Sequence, residues 1–370
     1  MPRTPTLFAL SLIAAAGFAA PLSSQTRTLN VYNWSDYVEP TVIEAFTKET
    51  GIKVRYDTFD SNDTLETKLL AGKSGYDVVV PTAYFLERQI KAGVFQKLDK
   101  SKLKNLGNVW PEIAQRLAVY DPGNQYAVNY MWGTTGIGYN VKKAREVLKA
   151  DGSIGTAMAS WDVVFKPGEL AKFKDCGVHM LDSADDIMPA ALHYLGLDPN
   201  TTAQADFDKA AELLIKIRPN VRKFNSSEYL NALASGEICL IVGWSGDIKQ
   251  AQKRAAEAKG GIEIGYAIPK GGAQTFFDNF AIPKDAKNVA EAHAFIDYML
   301  RPEVAAKNSN FLGYANGNIA SQRLLDKAVL DDRTVYPDAA AMAGLYLITA
   351  HDQKTQRLIN RLWTRIKTGK

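Results

Sequence analysis

The stretch Thr28-Leu29-Asn30-Val31-Tyr32-Asn33-Trp34-Ser35-Asp36-Tyr37 joins a β-rich run to the start of a helical pattern, and it decides the fold class. Residues 28–32 predict a strand, and Val42, Ile43 and Phe46 mark the apolar face of the helix that follows. Further along, the same alternation predicts strands at 53–58 and 76–80 and a helix around 65–70. Strands that alternate with helices are typical of an α/β fold whose sheet is mostly parallel.

The side chains at the end of this stretch suit an organic cation. Trp34 and Tyr37 offer aromatic faces, which attract an ammonium group by about 0.5 to 2 kcal/mol depending on its desolvation. Asp36 supplies a countercharge, and Ser35 supplies a hydroxyl group beside it. Taken alone, the stretch has a second interpretation, in which the aromatic rings pack in the core and Ser35-Asp36 caps the following helix.

Length and charge limit the possible functions. With 370 residues, the chain predicts two lobes rather than one small core. Its 44 Lys and Arg residues against 40 Asp and Glu residues give a net charge of +4, and no basic run is dense enough to follow a nucleic acid backbone. We therefore expect no nucleic acid partner, and a cationic ligand needs a local acidic pocket.

Motifs that carry enzyme chemistry are missing from the sequence. The four histidines lie in dissimilar contexts without metal-ligand spacing, and neither a Gly-x-Ser-x-Gly elbow nor a phosphate-binding loop occurs. Around Gly136 and Gly138, a dinucleotide motif fails because Val141 stands where the third glycine belongs. We expect no enzyme activity, no cofactor and no metal. The glycine-rich segment 133–140 instead predicts an extended connection between two lobes.

The N-terminus predicts export. Arg3, the apolar run 7–16 and the small residues after it are typical of a secretory signal peptide, placed here at 1–25 with an approximate cleavage point. No cysteine near that point could take a lipid, and no later segment has the length and polarity of a membrane span. We expect a soluble periplasmic protein. In an exported protein, Cys176 and Cys239 predict a structural disulfide bond.

The second half of the chain echoes the opening stretch. A predicted strand at 238–243 ends in Trp244-Ser245-Gly246-Asp247, again a Trp, a hydroxyl group and an Asp where a strand ends. Phe276-Phe277-Asp278 sets another carboxylate among aromatic rings, whereas Asp247 has the alternative role of stabilising a helix that begins near residue 248. Ligands of open α/β sheets lie at the carboxyl ends of strands, so these loops predict one crevice between two lobes.

The ordered set of motifs resembles a known family. Together with Gly75-Tyr76-Asp77-Val78-Val79-Val80-Pro81 and Phe295-Ile296-Asp297-Tyr298-Met299-Leu300-Arg301-Pro302, it is similar to the polyamine-binding proteins of bacterial ABC importers over essentially the whole mature chain. The resemblance implies a two-lobed periplasmic-binding-protein (Venus-flytrap) fold, each lobe a mostly parallel sheet flanked by helices, with the ligand in the cleft. The implied lobes are 26–135 plus about 278–316, and 136–277 plus about 317–370.

The resemblance also implies the residues of the pocket. The aromatic box around the methylene chain of the ligand is matched by Trp34, Tyr37, Trp244, Phe276 and Tyr314. Asp36 and Asp278 match the carboxylates that hold one ammonium group, with Ser35 nearby. Asp247 matches the carboxylate at the other end, which Thr82 would help to position, directly or through water.

One pocket position departs from the family pattern, and two others bear on ligand choice. Asp186, with Asp185 adjacent, stands where the family usually has Glu, so its side chain is one methylene shorter. Spermidine-preferring members tend to carry Thr-Glu after the first Trp and a bulkier Trp near position 276, so Ser35-Asp36 and Phe276 favour putrescine. The resemblance thus implies a monomer that captures putrescine and delivers it to the permease subunits of an ABC importer.

The physical chemistry of a dication agrees with this interpretation. Two alkylammonium groups with a pKa of about 10.4 enter fully charged, and leaving either one unpaired in a closed cleft costs several kcal/mol. Separated carboxylates are therefore required. The alternatives are a spermidine-preferring or broad-diamine binding protein, a sensor of the same fold, and a carbohydrate-active hydrolase, because paired aspartates and aromatic platforms also suit sugars.

Overall fold

The computed structural model describes Met1 and residues 27–150 and 154–369. Apart from Met1, the predicted signal peptide at 1–25 lies outside the described residues. Within residues 27–150 and 154–369, no helix is both long and apolar enough to cross a bilayer.

Short strands and amphipathic helices alternate along the described chain, as the sequence predicts. The strands are β1 (Thr28–Trp34), β2 (Lys53–Phe59), β3 (Val78–Val79), β4 (Phe95–Gln96), β5 (Ala127–Asn140), β6 (Val178–Met180), β7 (Lys223–Phe224), β8 (Leu240–Trp244), β9 (Ile264–Ala267), β10 (Thr275–Pro283) and β11 (Ala315–Asn316). The helices are α1 (Pro40–Thr50), α2 (Asn62–Leu70), α3 (Ala83–Lys91), α4 (Pro111–Leu117), α5 (Val141–Leu148), α6 (Ile154–Met158), α7 (Asp162–Phe165), α8 (Pro167–Ala171), α9 (Ala184–Tyr194), α10 (Gln204–Ile217), α11 (Tyr229–Ala234), α12 (Ser245–Glu257), α13 (Val289–Met299), α14 (Pro302–Leu312), α15 (Lys327–Leu330), α16 (Ala339–Ala343) and α17 (Gln353–Thr368).

The main strands pair in the order β2-β1-β3-β10-β5-β8-β6-β7. On one side, β1 runs parallel to β2 and β3, and β10 lies antiparallel between β3 and β5. On the other side, β6 runs parallel to β7 and β8, and β5 is antiparallel to β8. Each half therefore holds three parallel strands next to one antiparallel strand that arrives from the other half.

Two separate apolar cores lie on either side of this crossing. The first core contains Leu29 and Phe280, and the second contains Phe207 and Leu240. Strand β5 passes from one core to the other. The glycine-rich segment is thus part of a continuous strand, as its predicted extended form requires. A Cβ atom at Gly136 would lie 2.5 Å from the hydroxyl oxygen of Tyr266, so close packing excludes larger residues there.

Three chain segments cross between the two cores, and they are hydrogen-bonded side by side. The backbone N–H of Thr135 donates to the carbonyl of Gln274, and that of Thr275 donates to the carbonyl of Tyr346. The division into 26–135 plus 278–316 and 136–277 plus 317–370 stays a prediction. The two apolar cores support the predicted positions, near residues 135 and 277, at which the chain passes from one lobe to the other. Leu325 and Tyr336, however, pack in the first core, so we propose that the first lobe also includes residues 325–336.

The predicted disulfide bond is present. Cys176 and Cys239 are joined across 63 positions of the sequence, one just before β6 and the other just before β8. Both lie at the second core, and Cys239 is completely buried. The bond therefore ties two neighbouring parallel strands of one lobe together at their N-terminal ends.

Candidate functional site

The loop after β1 is fixed at the C-terminal edge of the first sheet. Ser35 donates its backbone N–H to the carbonyl of Phe59, at the end of the neighbouring strand β2, over 3.0 Å. Helix α1 starts only at Pro40, with Glu39 as its N-cap and no side-chain capping bond. Ser35 and Asp36 are therefore not helix caps, and the Ser35 hydroxyl instead donates to the carbonyl of Phe59 over 3.3 Å.

All the residues predicted to bind the ligand line one cavity between the lobes. Its volume is about 600 Å³ when the open mouth is included. The predicted residues that line it are Trp34, Ser35, Asp36, Tyr37, Thr82, Asp186, Trp244, Asp247, Phe276, Asp278 and Tyr314. Their role in binding stays a prediction. The cavity is also lined by Phe59, Asp60, Asn62, Tyr84, Ser226, Ser227 and Leu230.

Asp278 lines this cavity from a bulge in β10. Its Oδ2 accepts a hydrogen bond of 2.7 Å from the hydroxyl of Tyr37, and its Oδ1 accepts one of 2.7 Å from Thr82. Asn62 in turn donates its side-chain N–H to the Thr82 hydroxyl over 2.9 Å. The turn between β3 and α3 thus places the Thr82 hydroxyl on Asp278 and not directly on Asp247, and an indirect role of Thr82 at Asp247 through water stays a prediction.

Asp247 lies in the first turn of α12, where its two oxygens accept hydroxyl groups from different lobes. Oδ1 accepts a 2.7 Å hydrogen bond from Tyr314, whose ring packs in the first core. Oδ2 accepts a 2.7 Å hydrogen bond from Tyr229, which belongs to the second core. Gly246 makes this contact possible, because a Cβ atom there would collide with the ring of Tyr314.

Asp186, in the first turn of α9, is the third buried carboxylate. Oδ1 accepts hydrogen bonds of 2.6 Å from the Thr135 hydroxyl and 3.2 Å from the indole N–H of Trp244, and Oδ2 accepts one of 2.7 Å from Ser183. The adjacent Asp185 lines only a neighbouring hollow and not the main cavity. Of the two aspartates, Asp186 is therefore the one that faces the cavity.

The three carboxylates share one electrostatic property: every hydrogen bond that they accept comes from a neutral group. Within the described chain, none of them forms an ion pair with Arg or Lys. Burial raises the pKa of Asp278 to about 7 and the pKa of Asp247 to about 6, although the hydroxyl donors act in the opposite direction. Burial also raises the pKa of Asp186. When these carboxylates are ionised, a cationic ligand would supply the countercharge that Arg and Lys do not provide.

No group of three or more His, Cys, Asp or Glu side chains in residues 27–150 and 154–369 is arranged to hold a metal ion. Aromatic rings line the same cavity as the three carboxylates. The ring centroids of Trp34 and Trp244 are 5.6 Å apart, and those of Phe276 and Tyr314 are 6.3 Å apart. Buried carboxylates and aromatic rings in one cavity suit a chain of methylenes with terminal ammonium groups.

At the edge of the cavity, Asp36 joins the two lobes. Its Oδ1 pairs with Nη2 of Arg254 in α12 at 2.8 Å, and its carbonyl accepts a 3.2 Å hydrogen bond from Gln250. The Asp36 side chain is 49% exposed, unlike the three buried carboxylates. Its contact with an ammonium group stays a prediction. Together with the Tyr314–Asp247 bond, this pairing shows that the two lobes meet across the cleft.

Asn62, Tyr84 and Tyr229 are among the residues of the site that were not predicted to bind. Tyr84 is the second residue of α3, two positions after Thr82, and this place after a strand end is a signal in the sequence. Its side chain is 6% exposed and lines the cavity, and its hydroxyl has no hydrogen-bond partner among the described residues. Asn62 bonds the Thr82 hydroxyl and Tyr229 bonds Asp247, and since these partners are 20 and 18 positions away in the sequence, only the folded chain reveals them.

Comparison with known proteins identifies the family. Residues 41–335 match the family of bacterial extracellular solute-binding proteins. The chain belongs to this family. Its sequence is 51% identical over 366 residues to a putrescine-binding periplasmic protein of Pseudomonas aeruginosa, covering 99% of this chain and 98% of that protein. It is 49% identical over 350 residues to a putrescine-binding periplasmic protein of Escherichia coli, covering 94% of each.

Solved structures agree with the sequence relatives of this extracellular solute-binding protein. A putative spermidine/putrescine ABC transporter protein from Listeria monocytogenes superposes with a TM-score of 0.82 at 34% identity, covering 93% of this chain and all of that one. The predicted α/β two-lobed fold is thus confirmed, as is the predicted resemblance to polyamine-binding proteins of ABC importers.

Proposed function

We propose that this protein captures a protonated polyamine, putrescine in the first place, between its lobes in the periplasm and delivers it to an ABC permease. The observation that carries the proposal is the set of three buried carboxylates that accept hydrogen bonds only from neutral groups. Two relatives named as putrescine-binding periplasmic proteins share about half of its sequence. The family match is to solute-binding proteins, which supports capture rather than chemistry on the ligand.

The arrangement favours a diamine over a monoamine. Asp278 and Asp247 stand on different elements and different hydrogen-bond networks, so each can neutralise one ammonium group. The methylenes between the two groups gain about 0.8 kcal/mol each from burial against the rings. A monoamine leaves one more buried carboxylate without a countercharge than a diamine does. Two charged ends and an apolar middle therefore define the ligand class.

A calorimetric competition titration tests the proposal. Putrescine, cadaverine, agmatine and spermidine are titrated into the mature protein, with 1-butylamine as the control that lacks one charge. We expect one putrescine to bind per chain, more tightly than the other four amines. Absence of binding by every polyamine, or turnover of a glycoside, overturns the proposal. Uptake of labelled putrescine by cells with and without the gene separates import from sensing.

A second candidate is a broader polyamine range that includes spermidine, and one observation favours it. The cavity continues past Trp34 and Trp244 into a hollow that is also lined by Asp60, Asp63, Asp182 and Asp185. Tyr84 lies where the two spaces meet and offers its unpaired hydroxyl. Tyr84→Phe would then weaken spermidine more than putrescine, with Tyr120→Phe, whose hydroxyl bonds a backbone carbonyl elsewhere, as the matched control. Equal effects on both amines contradict this candidate.

A further inference from the structure

We infer that Tyr229 is a positioning residue for ligand capture: its hydroxyl holds the Asp247 carboxylate in its binding orientation on the second lobe, before Tyr314 arrives from the first. The inference rests on the proposed function, because it treats Asp247 as a receiver of an ammonium group. Tyr229 is fully buried and does not line the cavity, so it acts through Asp247 and not on the ligand.

The hydroxyl of Tyr229 is held in place by its surroundings. It donates to Oδ2 of Asp247 over 2.7 Å and accepts the backbone N–H of Trp244 over 3.3 Å. The ring lies against β8, because a Cβ atom at Gly243 would be only 3.1 Å from Cε2 of Tyr229. The start of α11 and the end of β8 therefore hold the Tyr229 hydroxyl in place, and this hydroxyl orients the Asp247 carboxylate.

Tyr314 and Tyr229 both donate a hydrogen bond to Asp247, but only one of these bonds persists when the lobes separate. Tyr314 packs in the first core, so its hydrogen bond to Asp247 crosses the cleft and breaks on opening. Tyr229 packs in the same core as the strand that precedes Asp247, so its bond persists. In the open protein, Tyr229 is thus the tyrosine that still orients this carboxylate for an incoming amine.

The same bond affects the charge of Asp247. Burial raises the pKa of this carboxyl to about 6, and the hydrogen bonds from Tyr314 and Tyr229 lower it. Loss of the Tyr229 hydroxyl therefore favours the protonated acid, which cannot neutralise an ammonium group. The charged and titratable groups that act on Asp247 are Asp36, Arg254, Asp278, Tyr37, Tyr229 and Tyr314.

The experiment compares Tyr229→Phe with Tyr194→Phe. Tyr194 is a matched control because its hydroxyl also donates to a carboxylate, that of Asp162 at 2.9 Å, and it does not line the cavity. We expect Tyr229→Phe to weaken putrescine binding by about 10- to 100-fold, the usual effect of one hydrogen bond to a charged group. We also expect it to release more protons on binding at pH 7, measured by calorimetry in buffers of different ionisation enthalpy. The control should change neither value.

A measurement without ligand separates this inference from the proposed function. Carbon-13 NMR of the Asp247 carboxyl group in the ligand-free protein should show a higher titration midpoint in Tyr229→Phe, whether or not putrescine is the ligand. If the variant does not fold, a fluorotyrosine at position 229 keeps the ring and strengthens the donor, and the midpoint should fall. An unchanged midpoint, or weaker binding with unchanged proton release, overturns the positioning role.

Discussion

At the scale of single residues, Asp278 has the clearest test. It is 4% exposed, and both carboxylate oxygens accept hydroxyl groups. Asp278→Asn keeps the size of the side chain but removes the charge that an ammonium group needs. We expect putrescine affinity to fall by about 2 to 5 kcal/mol, the range for truncating one partner of a buried charge pair. Isothermal titration calorimetry measures the loss, and the exposed Asp331→Asn is the control. Wild-type affinity in Asp278→Asn contradicts the clamp.

The same carboxyl group makes stability depend on pH and on the ligand. Burial raises the pKa of Asp278 to about 7 from an ordinary value of 3.8. Its protonated form favours the folded, ligand-free protein, so this stabilisation is full below a pH of about 4 and is lost as the pH rises through about 7. A bound dication stabilises the ionised form instead. We expect saturating putrescine to raise the melting temperature more at pH 8 than at pH 5 in scanning calorimetry. Equal shifts would be inconsistent with a buried, uncompensated carboxylate.

At the scale of elements, helix α12 and the loop after β1 form a contact across the cleft. The Asp36–Arg254 pair is 2.8 Å long, and both side chains are partly exposed. Exposed ion pairs contribute about 0 to 1 kcal/mol, so Arg254→Gln should change the equilibrium affinity little. We expect it mainly to speed putrescine release, measured by stopped-flow tryptophan fluorescence. Arg301→Gln removes an ion pair with Glu49 away from the cavity and is the control. Equal release rates in the two variants contradict a closing role.

The disulfide bond is a second feature at this scale. It closes a loop of 63 positions in the second lobe, for which the chain-entropy model gives about 4 kcal/mol of stabilisation. We expect the double variant Cys176→Ser, Cys239→Ser to lose roughly this free energy of unfolding in urea titrations. Putrescine affinity should stay unchanged, because neither cysteine lines the cavity. Wild-type stability of the double variant, or an affinity that falls with the disulfide, contradicts a purely structural role.

Elements differ in how far the sequence could predict them. The strand ends near Trp34 and Trp244 were predictable. The β-rich runs indicate the strands, and the aromatic, hydroxyl and carboxylate side chains that follow them indicate a binding site. Residues 133–140 were predicted only as an extended connection, because glycines have low strand propensity, yet β5 continues to Asn140 through pairing with β8 and β9. No motif around Tyr229 indicates its role in the site. Its hydrogen bond to Asp247 results from the packing of α11 against β8, and the spacing of residues in a single sequence does not predict such a contact.

At the scale of the whole molecule, the site exists only when both lobes contribute. Trp34 and Tyr314 come from the first lobe, and Trp244, Asp186 and Asp247 come from the second. The crossing segments also reach the site, because Thr135 in β5 donates to Asp186. A ligand that bridges the two sets of residues favours the closed arrangement by the difference in its affinity for the closed and open forms. Ligand binding and closure of the lobes are therefore thermodynamically coupled.

The number of charges on the ligand should decide how completely the lobes close. Putrescine and 1-butylamine have the same four-carbon chain, but butylamine leaves one more buried carboxylate unpaired than putrescine does, which costs several kcal/mol. We expect putrescine to reduce the radius of gyration in small-angle X-ray scattering, and butylamine to leave it near the ligand-free value. In Asp278→Asn one charge requirement is gone, so the affinity difference between the two amines should shrink. A butylamine complex as compact as the putrescine complex, or an unchanged difference in the variant, would show that apolar burial alone closes the cleft.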